Sequence, residues 1–439
     1  MNSLRLYCEL FEKFGAANFS RSSKFQYVYM TCVYSMITTY TVCHVWSTFT
    51  RATRYLPEFF QALFEDVVAS IITVQILCFI QQYKRIIELG NLMENSFCTF
   101  KSEVIEKGRA KSKKTMILIA LCITLTESGA ILQTIIPLTS EEIEIQNNIY
   151  RTKHPERISL AVIKIPFIDE TESWYYEAIM VCQLYLGLLF TAAVTVICTF
   201  IPNIIYFTEA QYTILCQHVE NLGTKLRDSQ GQRFFYTNLE KNKIAYLYSE
   251  QNKNIFRPDK TNISHKQRLM NEKIIEQKYE KLYIRQIIYF HQKLLQLQEQ
   301  METLFSPIVL PLVICNNIAL SMCLYELTRY NTLSKVRIYK FSLESLTVVL
   351  QFFFLNNCSE IMDDCNAMVC RSINSSHWQH CTRDTKRGLM SLLRICQRPN
   401  HLKFYGGAII LSRVLFLNVV KKAYSFVNFM QMSITRKGN

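Results

Sequence analysis

A chain of 439 residues that is 49% apolar and 13% aromatic, with only 11 Gly and 9 Pro, has the composition of long helices joined by few turns. Its net charge of +14 is not matched by a basic patch interleaved with an aromatic platform, which argues against nucleic acid. No Gly-rich phosphate loop and no nucleophile and base on one predictable face argue against an enzyme.

Runs with few or no charges, long enough to cross a core of roughly 30 Å at about 20 residues each, occur at 25–49, 59–83, 115–137, 174–207, 303–327, 338–358 and 404–432. The expected fold is therefore all-α: a polytopic membrane protein of seven transmembrane helices. The first 24 residues lack an apolar core with a small-residue cleavage site, so the first span is expected to act as an uncleaved signal-anchor. With the N-terminus inside, the inner segments hold 32 Lys and Arg and the outer ones 10. The compact 84–114 loop carries a cluster from Lys107 to Lys114. Basic residues resist translocation, so the N-terminus is expected in the cytoplasm. The sequons at Asn18, Asn262, Asn357 and Asn374 then fall on or near the inner side, and none of the 16 cysteines lies in an outer loop. Both points disfavour a rhodopsin-like receptor. The expected organisation is a cytoplasmic 1–24, six spans over 25–358 with an outer-half ligand pocket and a cytoplasmic extension over 208–303, a cytoplasmic anchor at 359–403, a last span at 404–432 and an outer 433–439.

In span one, Trp46 sits near the outer interface, where an amphipathic ring is at home. Span two follows Pro57 with Phe59, Phe60, Leu63, Phe64, Val67, Val68 and Ile71, an aromatic stripe interrupted by Glu65-Asp66. The stripe lines a pocket or packs on lipid and helices. Span three carries Glu127, Ser128, Gly129 and Gln133 in its outer half. An ionisable group at that depth is costly unless it faces protein or water, so Glu127 is either functional or a helix-packing carboxylate. The outer loop 138–173 has seven acids against four bases and could cover the mouth of a pocket.

Span four begins at Trp174-Tyr175-Tyr176 and continues past the bilayer towards His218. Between 225 and 270 the chain is polar and without sustained period, which predicts a mobile loop. From Tyr279 a 3–4 apolar spacing returns and runs into span five. A helix over 279–325 would be about 70 Å long, so half of it stands in the cytoplasm and needs a partner surface. Pro307 and Pro311 are expected to kink it. Span six holds Tyr339, Phe341, Ser342, Glu344 and Ser345. Below it Glu360, Asp363 and Asp364 share a face that is solvated, salt-bridged or a divalent-ion site. His377, His380, Cys381 and His401 show no closed four-ligand zinc spacing, and no cofactor is expected. Arg413, Lys421 and Lys422 interrupt the last apolar run, each costing about 2.5 to 3.5 kcal/mol at the centre of a lipid-exposed helix, which a water-filled conduit or snorkelling to the headgroups removes.

Cys358-Ser359-Glu360, Ser372 to Trp378, Lys386-Arg387-Gly388-Leu389-Met390, Gln397-Arg398-Pro399, Leu411-Ser412, Phe416 and Lys421 to Phe426, in that order and at those distances, resemble the C-terminal signature of insect odorant receptors. Ile287-His291-Gln292-Leu294-Leu295 is similar to another stretch of that family. The resemblance implies an odorant-binding tuning subunit of a ligand-gated non-selective cation channel in the plasma membrane of olfactory sensory neurons. Four subunits would surround a pore lined by the last helix, with a common co-receptor among them. Tyr424, Val427 and Gln431 take the pore and gate positions. Ile287, Leu294, Leu295 and Trp378 are the interface candidates in the shared cytoplasmic anchor. The pocket for a small apolar volatile lies in the outer half, and outer depth with shared helical faces selects Phe60, Phe64, Val67, Ser128, Leu132, Tyr176, Met180, Gln183, Tyr339, Ser342 and Ser345. Gustatory receptors share the fold but end in Thr-Tyr-five-apolar-Gln-Phe. Here Ala423 precedes Tyr424 and Gln431 comes one position late, which favours an odorant receptor and leaves the gustatory reading, like a transporter, as the alternative.

Overall fold

A computed structural model describes Glu9, Glu12, Lys13 and residues 24–97, 103–161, 163–165, 170–227, 230–239, 241, 243–246, 265–328 and 334–438, without the side chains of 265–272, 275 and 433–438. The sequons at Asn18 and Asn262 lie outside the described residues.

Helices α1 (Lys24–Thr50) and α2 (Leu56–Gln81) are followed by the shorter α3 (Tyr83–Ser96). Pro57 starts α2 because its ring presets the helical φ and its missing N–H costs nothing in the first turn. At Gln82 the backbone leaves helical geometry, with φ −95° and ψ 8°, and α3 sets off by burying Ile86, Leu89 and Met93. Helix α4 (Glu103–Ile135) comes next, then the outer segment with the short α5 (Ser140–Ile145).

Three helices far exceed a bilayer. They are α6 (Ser173–Glu220), α7 (His265–Leu327) and α8 (Lys335–Ser375), of 48, 63 and 41 residues. At 1.5 Å per residue they are about 72, 95 and 60 Å long. Helix α7 runs unbroken through Pro307 and Pro311, and it starts 14 residues before the helix expected at 279. Then come α9 (Arg383–Cys396), two-residue strands at Lys403–Phe404 and Ile409–Ile410, and α10 (Arg413–Gly438). By length and composition, α2, α4, α6, α8 and the Glu276–Leu327 part of α7 are apolar enough to cross a membrane. Helices α1 and α10 have the length, at 27 and 26 residues, but carry too many Tyr, Thr and basic residues to stand out on hydropathy.

The packing has two centres. Along the bundle α4 lies between α6 and α8, and α2 lies on α7. Near the start of α4, Gly108 allows one close approach: a Cβ there would sit 3.1 Å from the Ala210 Cβ and 3.3 Å from the Tyr206 carbonyl, so α4 meets α6 where only glycine fits comfortably. At the end expected to face the cytoplasm, the ends of α6, α7 and α8 gather with α3 and α9 around one apolar core containing Phe200, Ile204, Tyr212, Ile287, Phe290, Leu294, Met362 and Val369, all essentially inaccessible.

The inner segment expected to be structureless contains a hairpin, Phe234–Asn238 paired antiparallel with Lys243–Tyr246. Aromatic burial overrides the polar composition there. Phe235 lies 4.3 Å from the Tyr279 ring, and Tyr236 packs on His218 at 4.7 Å and on Tyr283 at 6.1 Å. Residues 247–264 of that segment lie outside the described ones.

Candidate functional site: an outer chamber and the hanger of the last helix

The outer loop is a cover fastened at three places. A capping box opens α5: Thr139 N donates to Glu142 Oε2 at 3.0 Å and Glu142 N to Thr139 Oγ1 at 3.4 Å. The other oxygen of Glu142 holds Arg337 of α8 at 3.2 Å. Arg51, just past α1, donates to Glu170 at 2.5 Å and to Gln146 at 3.1 Å while lying 4.8 Å over the Tyr150 ring. On α6, Tyr176 Oη donates to the Ile158 carbonyl at 3.0 Å, and Gln183 Nε2 to the Ala161 carbonyl at 2.8 Å. Two long-range ion pairs and two side chain to backbone bonds thus tie the cover to α1, α6 and α8.

Beneath it lies a set of charges drawn from separate helices. His44 of α1 places Nδ1 2.6 Å from Asp66 and Nε2 3.2 Å from Glu65, an arrangement that both N–H groups of an imidazolium satisfy. Thr48 Oγ1 donates to the other Asp66 oxygen at 2.6 Å. Lys340 of α8, wholly enclosed, donates to Glu65 at 3.0 Å and lies 3.8 Å from Glu344, one turn along its own helix. Gln61 completes Glu65 at 3.1 Å. On α4, Glu127 turns its carboxylate towards α6, with Oε2 3.4 Å from where a Cβ on Gly187 would be. His44, Asp66, Glu65 and Lys340 each have an oppositely charged partner, and removing one partner of a buried pair costs about 3 to 5 kcal/mol.

The pocket candidates divide among these surroundings. Phe64 is buried with Ala319, Met322 and Cys323 of α7, and Phe60 packs beside it with its ring 4.8 Å from Tyr325. Val67 is half-buried against the main core. Tyr176 and Gln183 hold the cover, and Met180 lies half-buried between them on α6. Ser345 is buried on α8 beside Glu344. Ser128 is half-buried and donates to its own Leu125 carbonyl at 2.7 Å. Leu132, Tyr339 and Ser342 are on the outer surface of the chain. The structure therefore brings together Phe60 with Phe64 and Tyr176 with Gln183, and sets Leu132, Tyr339 and Ser342 apart. Sequence reasoning passed over His44 and Lys340. The available signal was a His and a Lys inside apolar spans facing the already noted Glu65-Asp66 and Glu344, because opposite charges at membrane depth seek each other.

At the other end of α8, a stripe at i, i+3, i+4 and i+7 holds the segment that leads into the last helix. Asn356 Oδ1 accepts from Ser412 N at 3.0 Å, Glu360 Oε1 from Arg413 N at 2.9 Å and Asp363 Oδ1 from Asn400 N at 2.7 Å. Ser359 Oγ accepts from Leu402 N at 2.8 Å and donates to the Leu411 carbonyl at 2.6 Å. The acidic face of 360–364 thus includes backbone acceptors. Among the described residues no three His, Cys, Asp or Glu converge as metal ligands would.

Beyond this hanger α10 packs on α7 and α8 with Val419, Ala423 and Val427, a stripe at i, i+4 and i+8. Val427 is 4% exposed and faces its own chain, whereas Tyr424 is 63% exposed and Gln431 also lies on the surface. Lys421 and Lys422 are exposed as well. Of the interface candidates, Ile287 and Leu294 are completely enclosed by this chain's own helices, Leu295 is half-buried and Trp378 is exposed. The apolar stripe of α7 therefore finds its partner surface largely within the chain. Gly388 shows how closely α9 closes over it: a Cβ there would lie 2.9 Å from Ile284.

Long apolar helices, a buried cluster of charges at one end and an apolar anchor at the other from which a last helix hangs describe a polytopic membrane fold. The family model described as "7tm Odorant receptor" matches residues 55–424, and the chain belongs to that family. Among solved structures it is similar to the insect olfactory receptor OR5 from Machilis hrabei in complex with eugenol, with a TM-score of 0.68 and 12% identity over 98% of this chain and 97% of that one. It is likewise similar to a second structure of the insect olfactory receptor OR5 from Machilis hrabei, with a TM-score of 0.66 and 13% identity over 97% of each chain. No curated protein matches the sequence. The fold is thus that of the seven-helix odorant receptors, in a multi-pass membrane protein.

Proposed function

We propose that this odorant receptor is the tuning subunit of a ligand-gated cation channel of insect olfaction, assembled with a common co-receptor in the plasma membrane with its N-terminus in the cytoplasm. The observation that carries the reading is the double attachment of α8. Its outer end bears Lys340, Glu344 and Ser345 at the chamber, and its Asn356, Ser359, Glu360 and Asp363 hold the start of α10. From Ser345 to Asn356 is 11 residues, about 16 Å along one helix. A ligand that shifts the outer end of α8 therefore acts on the last helix through a rigid element. Only the part of the binding energy that differs between closed and open states drives that shift.

Burial of about 300 Å² of ligand at about 25 cal/mol per Å² gives roughly 7.5 kcal/mol before ordering costs, so micromolar or weaker binding is expected. The solved relative that binds eugenol supports a small organic ligand in this fold. The test is expression with and without the co-receptor, recording conductance against a panel of volatiles. Ligand-dependent cation current only in the pair supports the reading, and currents that never depend on a volatile refute it. A tag at Met1 should label only after permeabilisation and one at Asn439 on intact cells; the reverse overturns the orientation.

A further inference from the structure

The carboxylates of the outer chamber outnumber the cations available to pair with them. Glu170 holds Arg51, Glu142 holds Arg337, and Asp66 holds His44. Lys340 is then shared between Glu65 at 3.0 Å, which His44 also meets at 3.2 Å, and Glu344 at 3.8 Å, with the Glu127 carboxylate of α4 within electrostatic reach. Helices α4 and α8 approach closely here, because Gly129 packs on the Lys340 backbone, where a Cβ would lie 3.5 Å from the Lys340 Cα.

A second observation concerns hydrogen bonds. Glu344 is 7% exposed, yet its Oε2 is buried with no hydrogen-bond partner among the described residues. Gln183, 4% exposed, has its Nε2 fixed on the Ala161 carbonyl, so its equally buried and unpartnered Oε1 points elsewhere. It lies one turn above Gly187, against which Glu127 rests. Both orphaned atoms are acceptors, and a buried acceptor without a donor is costly. A ligand that brings N–H or O–H donors satisfies them, and one that also brings positive charge holds the Glu344 carboxyl in its ionised form. An inorganic ion needs ligands converging on one point, which the described residues do not offer. Dispersed acceptors suit an ammonium head on an apolar body, and apolar surface is at hand in Phe64, packed with Val348 one turn along from Glu344, and in Met180, one turn before Gln183 on α6.

We propose that the outer chamber binds a small organic amine as its ammonium ion, held between Glu344 and Glu127 beside Lys340, with its carbon skeleton against Phe64 and Met180. The assignment rests on the receptor reading above and names the class of its ligand.

The test pairs 2-phenylethylamine with 2-phenylethanol, which share one skeleton, on cells expressing the full chain with its co-receptor. The amine is expected to be at least about tenfold more potent, the equivalent of one well-placed charged contact. Glu344→Gln, which keeps size and a polar head, should lower amine potency by about tenfold or more while shifting the alcohol by less than about threefold. Equal potency of the pair, or an equal shift of both by the substitution, overturns the inference. Where the variant does not reach the surface, the purified full-length protein decides: greater thermal stabilisation by the amine than by the alcohol supports the proposal. Equal stabilisation by the two, or by sodium chloride alone, overturns it. If neutral volatiles open the channel and amines do not, this inference fails and the receptor reading stands. If the amine stabilises the protein but no volatile gates current, the receptor reading fails instead.

Discussion

The outer chamber and the inner anchor belong to the same helices and follow opposite rules. In the anchor, Ile287, Phe290, Leu294 and Leu297 of α7 form an unbroken apolar stripe, and polar groups are spent on backbone: Ser359 satisfies Leu402 and Leu411, and Thr382 N donates to Glu280 at 2.7 Å. In the chamber, charges from α1, α2, α4 and α8 meet under a fastened cover, and buried acceptors of Glu344 and Gln183 are left without donors. Apolar packing specifies one arrangement and resists exchange. An incompletely satisfied polar network costs stability unless something else completes it. The contrast separates the part of the molecule that holds its shape from the part proposed to take a ligand.

The largest expected effect lies in the anchor. Leu294→Asp buries a charge in a completely enclosed site, and a loss beyond about 4 kcal/mol should leave no folded chain. The half-buried Leu295→Asp should leave the chain folded and reduce co-purification with the co-receptor. Size-exclusion profiles of the two variants check this, and a folded Leu294→Asp protein would break the comparison.

Next comes Lys340→Met, which leaves Glu344 without its cation and Glu65 with only His44 and Gln61, and should cost about 3 to 5 kcal/mol, read as a fall in Tm. Adding Glu65→Gln should recover part of that loss, because one negative charge goes with it. No recovery would show that Lys340 acts through packing alone.

Ser359→Val should cost about 2 to 3 kcal/mol by leaving the Leu402 N–H and the Leu411 carbonyl unpaired. It should also weaken ligand gating more than ligand binding, since it loosens α10 from α8. Equal losses in binding and gating would sever the chamber from the hanger.

Much of this contrast was legible in the sequence, unevenly. Helix type and the reach of α7 beyond the bilayer follow from apolar period and length, which act locally. The hairpin at Phe234–Asn238 was not legible, because its aromatics find partners more than 40 residues away at Tyr279 and Tyr283. Of these charges, Glu127 stood out at membrane depth, while Glu65-Asp66 and Glu344 were visible only as polar residues within apolar spans. Their partners His44 and Lys340 did not stand out, since pairing across helices depends on the rotation of each helix, which a linear pattern leaves open. The same limit applies to Val427: i, i+4 spacing puts it on a face with Ala423, but only packing shows that this face is turned to α7 and α8.

The smallest effect compares two thiols, one from each region. Cys396 of α9 is buried with Sγ 3.6 Å from His291, and burial pushes its thiol up to about 12. At neutral pH it is therefore almost entirely the unreactive thiol, since the thiolate is the nucleophile. Cys182, in the outer half of α6, is exposed. In detergent-solubilised protein a maleimide should modify Cys182 at least about 100-fold faster than Cys396, which reacts only through opening of the anchor. The sign with pH follows. An unfolded thiol ionises near 8.5, below the folded value, so the unfolded chain loses its proton first and anchor stability falls as pH rises from about 8.5 towards 12. Modification of Cys396 should accordingly speed up with alkali through both ionisation and opening, and Cys396→Ala should abolish the slow phase without touching the fast one. Comparable rates at neutral pH would mean that the anchor opens as readily as the chamber, and the division between a fixed inner half and an adaptable outer half would fall.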